Sequence, residues 1–98
     1  MKYLLQFRWR EGLTQQQRDE VLMKRAQWKF PDGVSVHGEY WCAGNDPAVL
    51  VICECADFRP LMEIGFAWAY AFDISTTPCV TSDEGLLIGP EAMQAQRG

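Results

Sequence analysis

The sequence predicts a single α+β domain in which an antiparallel sheet carries two helices on one face. Three observations lead to this prediction: four stretches have strand-like alternation, two have helical composition, and the two kinds follow a fixed order. The 98 residues, of which 48% are hydrophobic, suffice for one core and are too few for two. This composition excludes a disordered, collagen-like or coiled-coil chain.

The first strand is expected over residues 2–10, and a helix follows over 14–29. Apolar and more polar side chains alternate in the strand, with Tyr3, Leu5, Phe7 and Trp9 on one side. Thr14 and Gln17 have the spacing of a capping box, and neither Gly nor Pro interrupts the stretch behind them. Pro31 and Gly33 end the helix and turn the chain.

Residues 34–42 and 48–56 are expected to form a hairpin of two strands around a turn at 43–47. Simple alternation of the first of these strands places Tyr40 on the helix side of the sheet and Trp41 on the opposite side. Both faces of the second strand are apolar, which predicts a position in the middle of the sheet.

The second helix begins near Asp57, an N-cap candidate, and has Pro60 in its first turn. The fourth strand covers 74–81, and Pro78 predicts that it lies at an edge of the sheet. Residues 1–84 thus form the domain. Residues 85–98 are expected to be an extension that is irregular or a short helix, frayed from 94 onward, because they contain two glycines and a proline.

The order strand, helix, strand, strand, helix, strand is that of the ferredoxin-like fold, which leaves one face of its sheet uncovered. Apolar residues are expected on that uncovered face, among them Leu4, Leu50 and Ile52. Because an exposed apolar patch of this kind usually marks an interface, we expect a homodimer in which two sheets pack face to face about a two-fold axis.

Six short segments, in this order and spacing, resemble a family of small bacterial proteins of unknown function with the dimeric α+β barrel architecture. The resemblance covers about residues 2–84. The segments are 3–9, 26–29 ahead of Pro31, 38–40, 52–54, 68–74 and 77–80. It implies a ferredoxin-like fold and a dimer, and it brings no established activity, since the wider superfamily includes cofactor-independent monooxygenases, lactone isomerases and stress-response proteins.

Five polar residues lie on otherwise apolar strands, at positions expected to face away from the helices. They are Gln6, Arg8, His37, Glu39 and Glu54. Because the first and third strands of this fold are neighbours, Arg8 and Glu54 are expected to approach one another. Two hypotheses remain open: a pocket in which Arg8 holds an anion and Glu54 or His37 moves a proton, and an ion pair that fixes the register of the dimer.

A second candidate site is an apolar cavity between the sheet and the helices that would suit a flat ligand. Its expected lining consists of Tyr3, Phe7, Trp28, Tyr40, Trp68 and Tyr70. The alternative is that these aromatic side chains simply form the core.

The sequence contains no cofactor or metal motif. The four cysteines are separated by 10, 1 and 23 residues and the single histidine is His37, which fits no common zinc pattern. The net charge of −4 argues against nucleic acid as a partner. Since no signal peptide or membrane-spanning stretch is apparent, we expect a cytoplasmic protein with free thiols.

The charge is unevenly distributed, +4 over residues 1–29 and −8 over 30–98. The leading hypothesis is a homodimer that binds a small molecule or has a structural or regulatory role. The alternative is a cofactor-independent monooxygenase or isomerase that acts on a small aromatic or lactone substrate. A regulatory module would use the acidic second half and the tail as its contact surface.

Overall fold

Four strands and three helices make up the computed structural model, which describes residues 1–97. The elements are β1 (Lys2–Trp9), α1 (Gln15–Gln27), β2 (Val34–Trp41), β3 (Val49–Cys55), α2 (Arg59–Trp68), β4 (Phe72–Cys79) and α3 (Ser82–Arg97). The chain is therefore α+β, and the predicted order of elements is confirmed through β4.

The strands form one antiparallel sheet in the order β2-β3-β1-β4. The apolar strand β3 is central, as its two apolar faces predict. Strand β4 lies at an edge of the sheet and pairs with β1 alone. Pro78 has no N–H to donate, and at an edge this breaks no hydrogen bond to a further strand. This strand begins at Phe72, two residues before the expected start, and ends at Cys79.

One face of the sheet and the helices α1 and α2 enclose the core. Leu5 and Val51 from the sheet, Val21 from α1, and Ile64 and Trp68 from α2 are all buried in this single cluster. We call the other side of the sheet the open face. Its apolar centre consists of Leu4, Leu50 and Ile52, half-buried within one chain, together with the exposed Tyr40.

A β-bulge in β2 changes which side chains face the helices. Val36 pairs with Cys53 and Gly38 pairs with Ile52, so His37 is the extra residue. Beyond the bulge, the alternation is reversed. The predicted placement of Tyr40 on the helix side and of Glu39 and Trp41 on the open face is therefore wrong, because a bulge inserts one residue into a period of two.

Helix α1 starts with the predicted capping box. The Thr14 hydroxyl accepts a hydrogen bond from the backbone N–H of Gln17, and the Gln17 side-chain oxygen accepts one from the backbone N–H of Thr14. Helix α2 has Pro60 in its first turn, as predicted, but its N-cap is Phe58 and not Asp57. Asp57 lies one residue before the cap, where its carboxylate accepts a hydrogen bond from the backbone N–H of Arg59. These ends account for where both helices begin.

Helix α3 is a correction to the expected irregular or short extension. It runs for 16 residues from Ser82 to Arg97, and Gly98 lies outside the described residues. A second capping box starts it, because the Thr81 hydroxyl accepts from the N–H of Glu84 and the Glu84 carboxylate accepts from the N–H of Thr81.

The interior of α3 is intrinsically weak. Relative to Ala, a glycine costs about 1 kcal/mol and a proline about 3 kcal/mol inside a helix, and α3 contains Gly85, Gly89 and Pro90. No residue of α3 is buried. Packing within one chain therefore does not offset these penalties.

None of the helices in residues 1–97 combines the length and apolar content that crossing a bilayer requires.

Candidate ligand-binding cavity

An apolar cavity of about 260 Å³ lies between the helix side of the sheet and the helices α1 and α2. All four tryptophans of the chain contribute to its wall. The full lining is Phe7, Trp9, Val21, Leu22, Arg25, Trp28, Phe30, Trp41, Cys42, Ala48, Val49, Ile64, Trp68 and Phe72. Aromatic side chains dominate this lining, so the cavity suits a flat apolar molecule better than a polar one.

The cavity forms where strand ends meet at one end of the sheet. Antiparallel pairing sets Phe7 opposite Val49, Val49 opposite Trp41, and Trp9 opposite Phe72. Directly paired residues share a face of the sheet, so these side chains all point towards the helices.

The helices close the cavity with their last aromatic residues. Trp28 is the C-cap of α1 and Trp68 is the last residue of α2, and their rings meet edge to face with centroids 5.4 Å apart. Trp9 stacks on Phe72 at 4.4 Å. Such contacts fix ring orientations, so the walls are largely preformed.

A partly buried ion pair between α1 and β2 adjoins the cavity. The Arg25 guanidinium donates through Nε to Glu39 Oε2 over 2.8 Å and through Nη2 to Glu39 Oε1. Trp41 Nε1 also donates to Glu39, over 3.0 Å, and Arg25 Nη1 donates to the carbonyl of Trp28. Through this network, Glu39 orients two of the residues that line the cavity.

The same hydrogen bonds set the charge state of the pair. The Arg25 guanidinium holds the pKa of Glu39 below its ordinary value despite partial burial, which acts in the opposite direction. The pKa of Arg25 is raised by its hydrogen bond to Glu39. Both groups are therefore ionised at neutral pH and neutralise each other.

The four cysteines are free thiols in different surroundings. Cys53 and Cys55 are buried on one face of β3, as predicted, and burial raises the pKa of Cys53 to about 11. Cys42 is exposed and lines the cavity. Within residues 1–97, no group of three or more His, Cys, Asp or Glu side chains is placed to hold a metal ion.

The five polar residues expected to face away from the helices do not form one cluster. His37 Nε2 and Glu54 Oε1 are 3.0 Å apart on the open face, whereas Glu39 lies on the helix side because of the bulge. Gln6 sits opposite Ser75 in the central part of the open face. Arg8 lies at the far end of the sheet.

The predicted approach of Arg8 to Glu54 is wrong. In the antiparallel pair β1–β3, Glu54 lies opposite Lys2, so Arg8 is six residues away, about 20 Å along the strand. Arg8 instead pairs with Asp73 on β4 over 3.0 Å, and Arg10 reaches the same carboxylate over 3.1 Å. The hydrogen bond from His37 and the charge of Lys2 lower the pKa of Glu54.

Of the six aromatic residues expected in a cavity, Phe7, Trp28 and Trp68 line it. Tyr3 packs against the core without lining the cavity. Tyr40 lies on the open face because of the bulge. Tyr70 is exposed beyond the end of α2, with the Lys24 ammonium 4.7 Å from its ring centre.

Several lining residues are absent from the sequence-based set, notably Trp9, Trp41 and Arg25. The sequence is sufficient to predict Trp9, because it lies two residues after Phe7 in the strand and therefore faces the same side. Placing Trp41 in the cavity requires knowing that β2 has a bulge, and Gly38 is the one local sign of it in the sequence. An added Cβ at Gly38 would lie 2.8 Å from the Tyr40 ring, which covers this glycine.

Comparison with known proteins identifies the family. No curated protein and no solved structure matches the chain. The family model described as a domain of unknown function, DUF3303, matches residues 1–92. Because this match spans nearly all of its length, the chain belongs to the DUF3303 family.

Proposed function

We propose that this domain is a binding module that takes up one small, flat, largely apolar molecule in the cavity between its sheet and helices. The observation that carries this proposal is the wall of the cavity, to which all four tryptophans contribute. An apolar cavity of about 150 Å³ takes up benzene. With about 260 Å³, this one has room for a larger ring system, such as two fused rings.

The side chains that line the cavity favour an uncharged ligand. Arg25, the one charged side chain in the lining, is already paired with Glu39. A ligand carboxylate would have to compete with Glu39 for that guanidinium, whereas a neutral aromatic molecule would not. The proposed ligand class is therefore a neutral bicyclic aromatic compound.

The four indole N–H resonances of the ¹⁵N-labelled protein test the proposal directly, with 2-naphthol as the probe. We expect these resonances to shift on titration. Val49→Phe, which places a larger side chain in the cavity, should weaken binding at least about tenfold. Val80→Phe, at an exposed site outside the cavity, is the matched control and should leave the affinity unchanged. Unmoved indole resonances, or equal affinity in Val49→Phe, would refute the proposal.

We further propose that the protein is a ferredoxin-like domain that dimerises through the open face, as in a dimeric α+β barrel. Leu4, Leu50 and Ile52 supply the apolar centre of this contact, and the pairs His37–Glu54 and Arg8–Asp73 lie on either side of it. The free thiols agree with a reducing, cytoplasmic location. Light scattering at micromolar concentration should give twice the chain mass, and Ile52→Lys should lower the measured mass towards the 11.2 kDa of one chain. A wild-type mass of 11.2 kDa would contradict the contact.

A cofactor-independent monooxygenase or isomerase is the second candidate function. The observation that favours it is the His37–Glu54 hydrogen bond, since a carboxylate that orients an imidazole can support a general base. Both side chains are nearly half exposed in the single chain, so this function depends on the dimer enclosing them. A dimer structure in which side chains fill the space beside His37 would eliminate it.

A further inference from the structure

Helix α3 carries an apolar stripe without a partner in its own chain. Leu86, Pro90 and Met93 follow the i, i+4, i+7 spacing that places residues on one face of a helix. Leu86 is 73% exposed and Met93 is also exposed. Since a short helix with two glycines and a proline is marginal on its own, its stability requires packing that one chain does not provide.

A second unpartnered apolar surface lies on the outer side of α2, beside the start of β4. It is a groove of about 440 Å³, which we call the α2–β4 groove. Met62 and Phe66 form one wall, and Ile74 forms the other. Phe66 is 78% exposed. An added Cβ at Gly65, in this same groove, would meet no atom within 4 Å, so a helix can approach closely there.

The geometry of the chain keeps α3 away from its own groove. The groove lies near Asp73 and Ile74 at the start of β4, whereas α3 begins beyond the other end of that strand. Eight strand residues span about 26 Å, and 16 helical residues span about 24 Å. The longest dimension of the molecule is 56 Å, so α3 continues outward from the sheet instead of folding back. The radius of gyration, 16.2 Å, also exceeds the value of about 13 Å for a compact chain of this length.

We propose that two copies of this chain exchange their C-terminal helices, so that α3 of each copy occupies the α2–β4 groove of the other. The occupant is a second copy because one chain carries both surfaces and its own helix points away from its own groove. A helix of this length and about 10 Å width covers about 240 Å². Two helices and two grooves then contribute about 1,000 Å², which is the lower limit for a specific interface.

This contact is separate from the binding cavity and from the open face. Of the residues that line the groove, only Phe72 also lines the cavity, and Phe66 lies on the outer side of α2. The exchange of α3 can therefore be tested independently of ligand binding and of the pairing of the sheets.

Amide hydrogen exchange of residues 83–96 in the full chain tests the proposal. We expect protection in the wild-type protein at high micromolar concentration. Leu86→Glu and Phe66→Glu should each reduce it about 30-fold, the effect of losing a central interface residue. Leu87→Glu is the matched control. Leu87 is as exposed as Leu86, but its neighbours at i+4 and i+7 are Glu91 and Gln94, so it lies off the apolar stripe. Its substitution should leave the amide protection of α3 unchanged.

Mixing the two variants distinguishes exchange between chains from packing within one chain. The Phe66→Glu chain keeps an intact α3, and the Leu86→Glu chain keeps an intact groove. If α3 docks on the other copy, mixing restores amide protection to α3 of the Phe66→Glu chain. The α3 peptides of the two chains differ in mass at position 86, so mass spectrometry measures each chain separately. No protection in the wild type, protection that survives Phe66→Glu, or no recovery on mixing would each overturn the proposal. Unchanged amide protection of the four strands and of α1 and α2 in the same exchange experiment shows that both variants fold.

Discussion

Arg25 and Glu39 connect α1 to β2 beside the cavity, and theirs is the most buried ion pair in the described chain. Their side chains are 28% and 18% exposed, whereas at least one side chain in each of the other pairs is more than 40% exposed. A well-formed bidentate pair at this depth contributes more than a surface pair, although solvent screening keeps the contribution near 1 kcal/mol. The pair therefore holds α1, and with it Trp28, over the sheet.

The lowered pKa of Glu39 makes this contribution dependent on pH. Its folded-state pKa lies below the ordinary value of 4.5, so the stabilisation is complete above about pH 4.5 and declines as the pH falls through the lowered pKa. We expect Glu39→Gln to lower the free energy of unfolding by about 1 kcal/mol at neutral pH. The difference from the wild type should shrink as the pH falls below 4.5 and through the lowered pKa of Glu39.

Urea unfolding at several pH values measures this difference. Glu20→Gln is the control, because Glu20 is exposed on α1 and makes no ion pair within residues 1–97. An acid dependence of Glu39→Gln identical to that of the wild type would show that Glu39 does not contribute through its charge.

The cysteines should differ in reactivity according to their burial. Cys42 is exposed, whereas Cys53 is fully buried with its pKa raised to about 11. Because the thiolate is the reactive form, iodoacetamide at neutral pH should modify Cys42 in the folded protein and spare Cys53 until the protein unfolds. Peptide mass spectrometry reads out each site. Equal modification of both thiols in native buffer would contradict the buried position of Cys53.

At the scale of elements, local sequence patterns predicted where helices and strands occur better than they predicted which side of the sheet each side chain faces. The Thr14–Gln17 spacing and Pro78 correctly predicted a helix start and an edge strand. In β2, one extra residue reversed the alternation, and Glu39, Tyr40 and Trp41 all changed sides. A bulge arises from how two strands pair, so the alternation of residues within one strand does not predict it.

The start of α1 provides a prediction at this scale. Thr14→Ala removes the acceptor for the Gln17 N–H and should lower the free energy of unfolding by about 1 kcal/mol. Thr14→Ser keeps the hydroxyl and is the control, which should restore most of the loss. Chemical denaturation measures both variants. Equal destabilisation by Ser and Ala would mean that the hydroxyl is not what stabilises the helix start.

At the scale of the whole molecule, four of the seven basic residues in positions 1–29 form ion pairs with acidic residues of the remaining chain. Lys2 pairs with Glu84, Arg8 and Arg10 pair with Asp73, and Arg25 pairs with Glu39. Each pair joins the basic first third to the acidic remainder. The charge split thus supports the fold of the single chain, and these ion pairs leave the apolar centre of the open face uncovered.

Association of two chains predicts a stability that depends on protein concentration. If the native state is a dimer, mass action raises the melting temperature as concentration increases, whereas a monomer melts at a fixed temperature. Calorimetry over a hundredfold range of concentration should show this rise, and Ile52→Lys should reduce it. A constant melting temperature together with a monomeric mass would contradict association through the open face.

The sequence by itself determined the fold class, the order of the elements through β4, the central place of β3 and the edge position of β4. It did so because composition, alternation, caps and proline are local properties of the chain. Only the tertiary structure decided which aromatic residues meet around the cavity, that Arg8 and Glu54 lie at opposite ends of the sheet, and that α3 is one long helix without a buried residue. These features depend on antiparallel register, on one bulged residue and on packing between elements distant in sequence, and none of these is encoded in the periodicity of a single segment.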